Sequence, residues 1–399
     1  MIRRDIYLNR IIPFIDKDII KVITGIRRSG KSVLLEQLQA ELIKRGKDKN
    51  SFIYINLEDL QYESLLDYKE LNEYLINKIK HINGRTYIFL DEIQRVSSWE
   101  KVINSLRVAY DCDIYITGSN SQLLSGELSI EIAGRYVEIK VYPFSFGEFL
   151  EAINSDRQNL DSDFANYVEL GGMPFLSLIY SDHQAAETYL QDIYNSVVLR
   201  DIVDRHAIRN VDLLQRVIGY LSSEIGHPIA ANNIANFFKS EHRTSSTDTI
   251  IDYISYTTDA FLFTRVSRTH LRGKDNLRIR DKYYITDHGL RQIIIGNNQQ
   301  NIDQILENIV FIELLRRGYN ISVGLNKNKE IGFIAQKGND KRYYQVTYLL
   351  GSQETINREF GAYAGIEDNY PKYVLSMDKL NMSQNGIIHQ NIIDFLLEK

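Results

Sequence analysis

The 399-residue chain holds a single cysteine, Cys112, and five prolines. One cysteine excludes a disulfide framework and a Cys-rich zinc site within one chain. It also makes the cytoplasm the natural compartment. So few prolines, with no low-complexity run or repeat, leave no visible linker, and domain boundaries read from the sequence are soft. No run of 18 apolar residues occurs, so no segment is expected to span a bilayer. The opening stretch, "MIRRDIYLNRIIPFIDKD", is broken by charges and lacks the apolar core of a signal peptide. Neither charge sign dominates: 47 basic and 52 acidic residues give a net charge of −5. Any contact with nucleic acid or an anionic membrane therefore has to be local. The eight histidines show no H-x-x-x-H or H-E-x-x-H spacing, which argues against a zinc enzyme.

What is present, over the first 145 residues, is an alternation of strand and helix signals. Apolar β-rich runs fall at Ile19–Thr24, Phe52–Leu57, Thr86–Glu92, Asp113–Ser119 and Arg135–Val141. Helical spacing follows the first, covers Leu65–His81 after the second, and resumes in "SWEKVINSLRVAYD" after the third. Strands separated by helices of this length predict right-handed βαβ units and a parallel α/β sheet. Cys112 reads as a core or near-core thiol and Trp99 as a core anchor at a helix start.

Between the first strand and its helix stands "GIRRSGKS", Gly25 to Ser32, which fits G-x-x-x-x-G-K-[ST] in the required strand–loop–helix context. Its glycines let a loop wrap an anion, with the N–H groups of Gly25, Ile26, Arg27, Arg28, Ser29, Gly30 and the helix start through Val33 turned toward phosphates. Lys31 adds a point charge near the β/γ-phosphates of ATP, and the Ser32 hydroxyl suits Mg²⁺. The third run, "YIFLDE", ends in Asp91-Glu92. Asp91 is expected beside the Mg²⁺ and Glu92 beside the attacking water.

These two motifs resemble the P-loop NTPases of the additional-strand, catalytic-glutamate class. The resemblance implies a strand between the two motif-bearing strands, supplied here by the run ending "TGSN". It also implies a polar sensor at Ser119 or Asn120, although a plain turn after a strand is open there. Over nearly its whole length the chain is similar to a bacterial and archaeal family of AAA-type ATPases with a C-terminal domain of unknown function. That resemblance rests on "GIRRSGKS", "IFLDEIQ", "ITGSNSQLL", "AGRYVEI", "YPFSFGEFL" and "LGGMP". It implies a γ-phosphate role for Arg135, in cis or toward a neighbouring subunit, with a structural salt bridge as the alternative. It also implies an adenine contact for Pro174, against a plain inter-helix turn. Arg107 is a weaker finger candidate.

The expected layout is a P-loop ATPase domain over 1–150, a helical lid or linker over 151–210, a winged-helix-like domain over 211–298, and an endonuclease-like α/β domain over 299–399. The expected reading helix of the winged part, "TSSTDTIIDYISYTTDA", holds Asp248, Asp252 and Asp259 and no Lys or Arg, a poor match for DNA. The following segment, Arg265 to Lys282, is basic and offers a phosphate backbone, a subunit or solvent a cationic wing. In the last domain, Gly332, Gln345 and Thr347 stand where an active nuclease needs two acids and a lysine, and Glu330 is expected on the opposite side of its strand. Together these features point to an ATP- and Mg²⁺-binding ATPase, catalysed by Lys31, Glu92 and Arg135, that drives a switch or remodels an unidentified protein partner. A DNA partner and a homo-oligomer are open. The alternatives are a low-turnover regulatory scaffold and, disfavoured, a nuclease.

Overall fold

A computed structural model describes residues 2–124, 134–240, 245–270, 281–296, 301–326 and 329–398. The chain forms two compact units: Met1–Tyr142 with Asp259–Phe261, and Pro143–Thr258 with Leu262–Lys399.

The first unit is built on five parallel strands: β1 (Ile20–Thr24), β2 (Phe52–Asn56), β3 (Thr86–Asp91), β4 (Cys112–Gly118) and β5 (Tyr136–Lys140). Their order across the sheet is β2-β3-β4-β1-β5. All five match the β-rich runs of the sequence to within a residue at either end. Alternation along each strand sends residues to two faces. Val22, Ile88, Leu90, Ile114 and Ile116 meet helices α3 (Tyr68–Ile79) and α4 (Trp99–Ala109) on one side. On the other, Ile23, Tyr87, Phe89 and Tyr115 meet α1 (Asp5–Ile11) and α2 (Lys31–Lys44). Burial on both faces is why these strands read as continuous apolar runs rather than as alternating ones. Trp99 opens α4 and is buried, as its position predicts. Cys112 opens β4 half-buried, and burial pushes its thiol up to about 11, which leaves it unreactive.

The sheet order is the P-loop NTPase order. β4 lies between β1, which leads into the glycine loop, and β3, which ends at Asp91. In a parallel sheet every strand delivers its following loop to the same edge, so the loops after β1, β3 and β4 converge.

In the second unit, helices at Phe146–Ala152, Leu160–Leu170 and His183–Ser196 come first. Strand β6 (Pro228–Ile229) precedes helices Ala231–Ser240 and Thr247–Asp259, and pairs with β9 (Asp281–Ile285), which also pairs with β7 (Phe263–Val266), in a three-stranded antiparallel sheet. The two helices and the antiparallel pairing of β7 with β9 fall where a winged-helix-like domain is expected. Strand β8 (Arg268–His270) leaves that sheet and pairs in parallel with β10 (Asn320–Asn326). It thereby becomes the edge of a six-stranded mixed sheet that runs through β11 (Lys329–Lys337) and β12 (Asp340–Val346) to β13 (Lys372–Ser376) and β14 (Ile388–Asn391). The long helix Ile302–Arg316 is buried over most of its length, and its Phe311 packs between Tyr284 of β9 and Phe333 of β11. No helix among the described residues is long and apolar enough to cross a membrane.

Candidate functional site

The loop from Gly25 to Gly30 turns on three left-handed residues: Gly25 (φ 144°), Arg28 (φ 68°) and Gly30 (φ 96°). Gly30 immediately precedes α2, so the free N–H groups of the helix start face the loop interior. At Gly25 no side chain fits, because a Cβ would stand 2.2 Å from the carbonyl oxygen of Val141. Arg27 turns away to Glu58 (3.0 Å), and Arg28 is exposed. The Lys31 ammonium is buried against the carbonyls of Gly25 (3.1 Å) and Ile26 (3.2 Å) and faces Glu92 Oε1 at 3.7 Å. Ser32, half-buried, is the second residue of α2.

Asp91 and Glu92 leave the end of β3 with different surroundings. Asp91 is fully buried and accepts hydrogen bonds from the Thr117 hydroxyl and, at 3.3 Å, from the Tyr54 hydroxyl. Glu92 adopts a left-handed turn (φ 56°), costly for a side chain of this kind, and its N–H donates to the same Thr117 oxygen at 2.9 Å. Thr117 therefore fixes both acids through one hydroxyl. The Glu92 carboxylate accepts from Gln94 Nε2 at 2.5 Å, and that amide also reaches Ser119 Oγ at 3.3 Å. Burial alone would raise the Glu92 carboxyl. The Lys31 ammonium, the Gln94 amide, Arg27 and Ser119 outweigh it and hold the group below its ordinary range. Gly118 leaves the space this needs, since a Cβ there would stand 2.9 Å from Gln94 Oε1. Ser119 and Asn120, both fully buried, follow directly.

The residues fit a nucleotide triphosphate with a hard cation. A glycine cradle closes against backbone, a helix start and an ammonium face into it, and the buried Ser29 hydroxyl has no hydrogen-bond partner among the described residues. Asp91, held by hydroxyls, adjoins Glu92, held by cationic and amide groups and a hydroxyl. One carboxylate is thus suited to a cation and the other to a proton.

Two sequence expectations change. Arg135 precedes β5, and its carbonyl accepts from the N–H of Ile20 at the start of β1. It thus stands at the sheet edge opposite the glycine loop, and a strand of this length separates the two edges by about 13 Å. The in-cis γ-phosphate role is withdrawn. Arg107 is on that far edge too, chelating Asp18 at 3.0 and 3.1 Å. Pro174 belongs to the second unit, where it opens the turn Pro174–Leu178. In the same unit the two glycines of "LGGMP" are packing residues: a Cβ at Gly171 would stand 2.2 Å from the Asp287 carboxylate and one at Gly172 2.3 Å from Phe144 O.

The cationic wing changes as well. Arg265 pairs with Asp281 (2.6 Å), Arg268 with Glu330 (2.7 Å), and buried Lys282 with Glu330 (2.5 Å) and Glu307 (3.6 Å). None of these three offers a phosphate backbone an uncompensated charge. Arg272, Lys274, Arg278 and Arg280 lie outside the described residues. Glu330, expected on the far side of β11, lines the same cavity of about 740 Å³ as Gly332, Gln345 and Thr347. The physical reason is the strand period itself: residues two apart share a face. Gln345 there accepts the Gly332 N–H and donates to Glu359 at 3.1 Å.

Thr117 and Gln94, which lie inside "TGSN" and "IFLDEIQ", are functional candidates to which the sequence assigned no role. Their place in those two runs was the only signal.

Residues 17–150 match a family described as an AAA domain, and residues 161–301 match one described as a domain of unknown function. An uncharacterized protein of Haemophilus influenzae is 40% identical over 100% of this chain and 99% of its own length. One from Methanocaldococcus jannaschii is 32% identical over 96% of this chain and 84% of its own. Among solved structures, the Aeropyrum pernix ORC1 protein in complex with DNA covers 74% of this chain and 92% of its own at 12% identity, with a TM-score of 0.35. An overlap that small carries no argument about partners. The full-length relatives and the AAA match agree with the strand order and with the loop that β1 delivers: the chain belongs to the AAA-type P-loop ATPase family that carries a C-terminal domain of unknown function.

Proposed function

We propose that the protein binds ATP with Mg²⁺ and hydrolyses it to drive a conformational switch that acts on a partner protein. The observation that carries this reading is the convergence of Lys31, Asp91, Glu92 and Ser119 on the edge of the sheet where the glycine loop lies. In this reading the loop N–H groups from Gly25 to Val33 and the Lys31 ammonium hold the triphosphate. The Ser32 hydroxyl and Asp91 hold Mg²⁺, which when bound neutralises charge on the β- and γ-oxygens. Glu92, kept ionised by its neighbours, orients the attacking water and accepts its proton. Ser119 and Asn120 are placed to respond to the γ-phosphate side. Lys31 bonds the loop carbonyls and faces Glu92, so nucleotide entry has to draw the ammonium away from both.

Arg135, exposed on the far edge, is in this proposal available only to a neighbouring copy. The C-terminal sheet we read as an endonuclease-like scaffold without cleavage activity, since Gly332, Gln345 and Thr347 supply neither a carboxylate nor an ammonium. The test is direct. Titration calorimetry with ATP should show Mg²⁺-dependent binding, and phosphate release should follow, rising with protein concentration if Arg135 works in trans. Absence of ATP binding at millimolar nucleotide would overturn the reading.

A further inference from the structure

The peptide bond between Tyr142 and Pro143 joins the two compact units. On the first-unit side, the backbone before this bond is fastened to the phosphate loop. The Val141 N–H donates to Thr24 O at 2.8 Å, and Gly25 touches Val141 O so closely that no side chain fits. Buried Arg4 donates from one guanidinium to Ser29 O (3.2 Å) and to Tyr142 O (2.8 Å). Tyr7 backs this arrangement: its hydroxyl accepts from the Tyr142 N–H at 3.0 Å, and its ring lies 4.8 Å from the Arg4 guanidinium.

On the second-unit side, the next two residues are fastened just as firmly. Buried Arg316 donates to Pro143 O at 3.0 Å. The Phe144 N–H donates to Gly172 O (2.6 Å), and the Tyr167 hydroxyl donates to Phe144 O (2.9 Å). The Gly172 N–H passes the chain of bonds on to Asp287 at 2.8 Å. The motifs "YPFSFGEFL" and "LGGMP" therefore meet each other here, which neither the phosphate site nor the winged part had explained.

The other stretch that the first unit claims, Asp259–Phe261, is anchored on the same loop-bearing edge. Ser121 Oγ donates to Asp259 at 2.9 Å, one residue past Asn120, and the Lys140 ammonium lies 4.6 Å from the Phe261 ring centroid. Lys140 is the last residue of β5 and pairs with Thr24, the last of β1.

We propose that Val141–Phe144 carries the nucleotide state of the phosphate loop to the second unit, with Arg4 and Arg316 as its positioning residues. The inference rests on the ATP reading above. Charge-assisted bonds from a buried guanidinium to carbonyls are strong and directional. A shift of Ser29 O on phosphate binding therefore has two outcomes: the Arg4 bond breaks, or Tyr142 O moves with it. A displaced Tyr142 pulls on Pro143, whose carbonyl Arg316 holds within the second unit. A buttress that only stiffened each unit would raise stability without linking nucleotide to the second unit.

Hydrogen–deuterium exchange of the full chain, with and without a non-hydrolysable ATP analogue and Mg²⁺, separates the two. In the wild type, peptides covering Phe144–Leu178 and Asp287–Arg291 should change exchange by about 5-fold or more on nucleotide addition, the lower end of ordinary allosteric coupling. Arg316→Gln should keep analogue affinity within about 3-fold and shrink that change below about 2-fold. Because a buried arginine can matter for folding, Tyr167→Phe serves as the second variant. It deletes only the hydroxyl on Phe144 O and should at least halve the response. No nucleotide response in the wild type, or a response undiminished in both variants, would overturn the inference. Analogue binding is measured in the same samples, so a failure of the ATP reading shows as lost binding, and a failure of the coupling shows as binding without response.

Discussion

Two ammonium–carboxylate meetings in this chain look alike on paper and differ in every surrounding detail. In the first unit Lys31 faces Glu92 at 3.7 Å, bonded meanwhile to two loop carbonyls, in a loop with glycines at both ends. In the second, Lys282 sits 2.5 Å from Glu330 with Glu307 behind it, between two sheets, with Arg268 bonded to the same carboxylate. The first pair is loose because each member has another task to turn to. The second is tight because two cations, Lys282 and Arg268, share the one Glu330 carboxylate and have no loop to serve. Charge type alone did not distinguish a working site from a cross-brace; spacing, backbone conformation and the number of competing partners did.

The comparison can be broken in graded steps. Lys31→Ala should have the largest effect, lowering ATP affinity by about 100-fold or more, since a buried charged hydrogen-bond donor is lost; calorimetry reads it, and near-normal affinity would place the triphosphate elsewhere. Glu92→Gln should keep ATP bound while turnover falls by about 10²–10⁴-fold, the usual range for a missing general base. Wild-type phosphate release from that variant would remove Glu92 from the mechanism. In the second unit, Lys282→Met should leave ATP binding alone and cost about 2 kcal/mol in urea unfolding, less than for a fully buried pair because Glu330 is 33% exposed.

A smaller effect tests how Glu92 is tuned. Its carboxyl is held low, so it stays ionised, and turnover should fall only as pH drops below the ordinary glutamate range near ~4.3. Gln94→Leu removes one stabilising donor, raises that carboxyl, and should move the acid limb of the pH–rate profile upward. An acid limb that stays in place would mean that Gln94 does not set the charge. The smallest expected signal is none at all: DNA incubated with the protein and Mg²⁺ should remain intact, and Glu307→Gln should look the same as the wild type. Cleavage lost in that variant would reverse the scaffold reading.

Much of the first unit was legible because its strands are buried on both faces and its loop must be glycine-spaced to wrap phosphate. The acids of "LDE" were legible for a related reason: two adjacent carboxylates closing a fully apolar strand are costly to bring to a sheet edge unless their charge is used there. Thr117 was not, since a threonine ending a strand is ordinary until a neighbouring strand brings Asp91 and Glu92 to it. Arg4 carried no signal, because nothing local marks an arginine whose partners lie 25 and 138 residues away. Arg135 is a different case. Its misplacement was avoidable, because the residue before a parallel strand always stands at the edge away from the loops that follow the strands. Glu330 shares the cavity-lining face with Gly332 because residues two apart in a strand point the same way. The wing looked basic because sequence counts charges, whereas its partners Glu307 and Glu330 come from the helix Ile302–Arg316 and from β11, far along the chain.

The contact between Gly25 and Val141 O also bears on how such proteins can be recombined. A nucleotide-binding cassette cut at the end of β5 would exclude the backbone atom that closes its own loop. A cassette that runs past Pro143 would bring along a carbonyl that Arg316 normally claims. The contacts leave the Tyr142–Pro143 bond as the junction at which both sides keep their own carbonyls. A chimera that exchanges the loop-bearing half alone should be soluble more often than it is responsive.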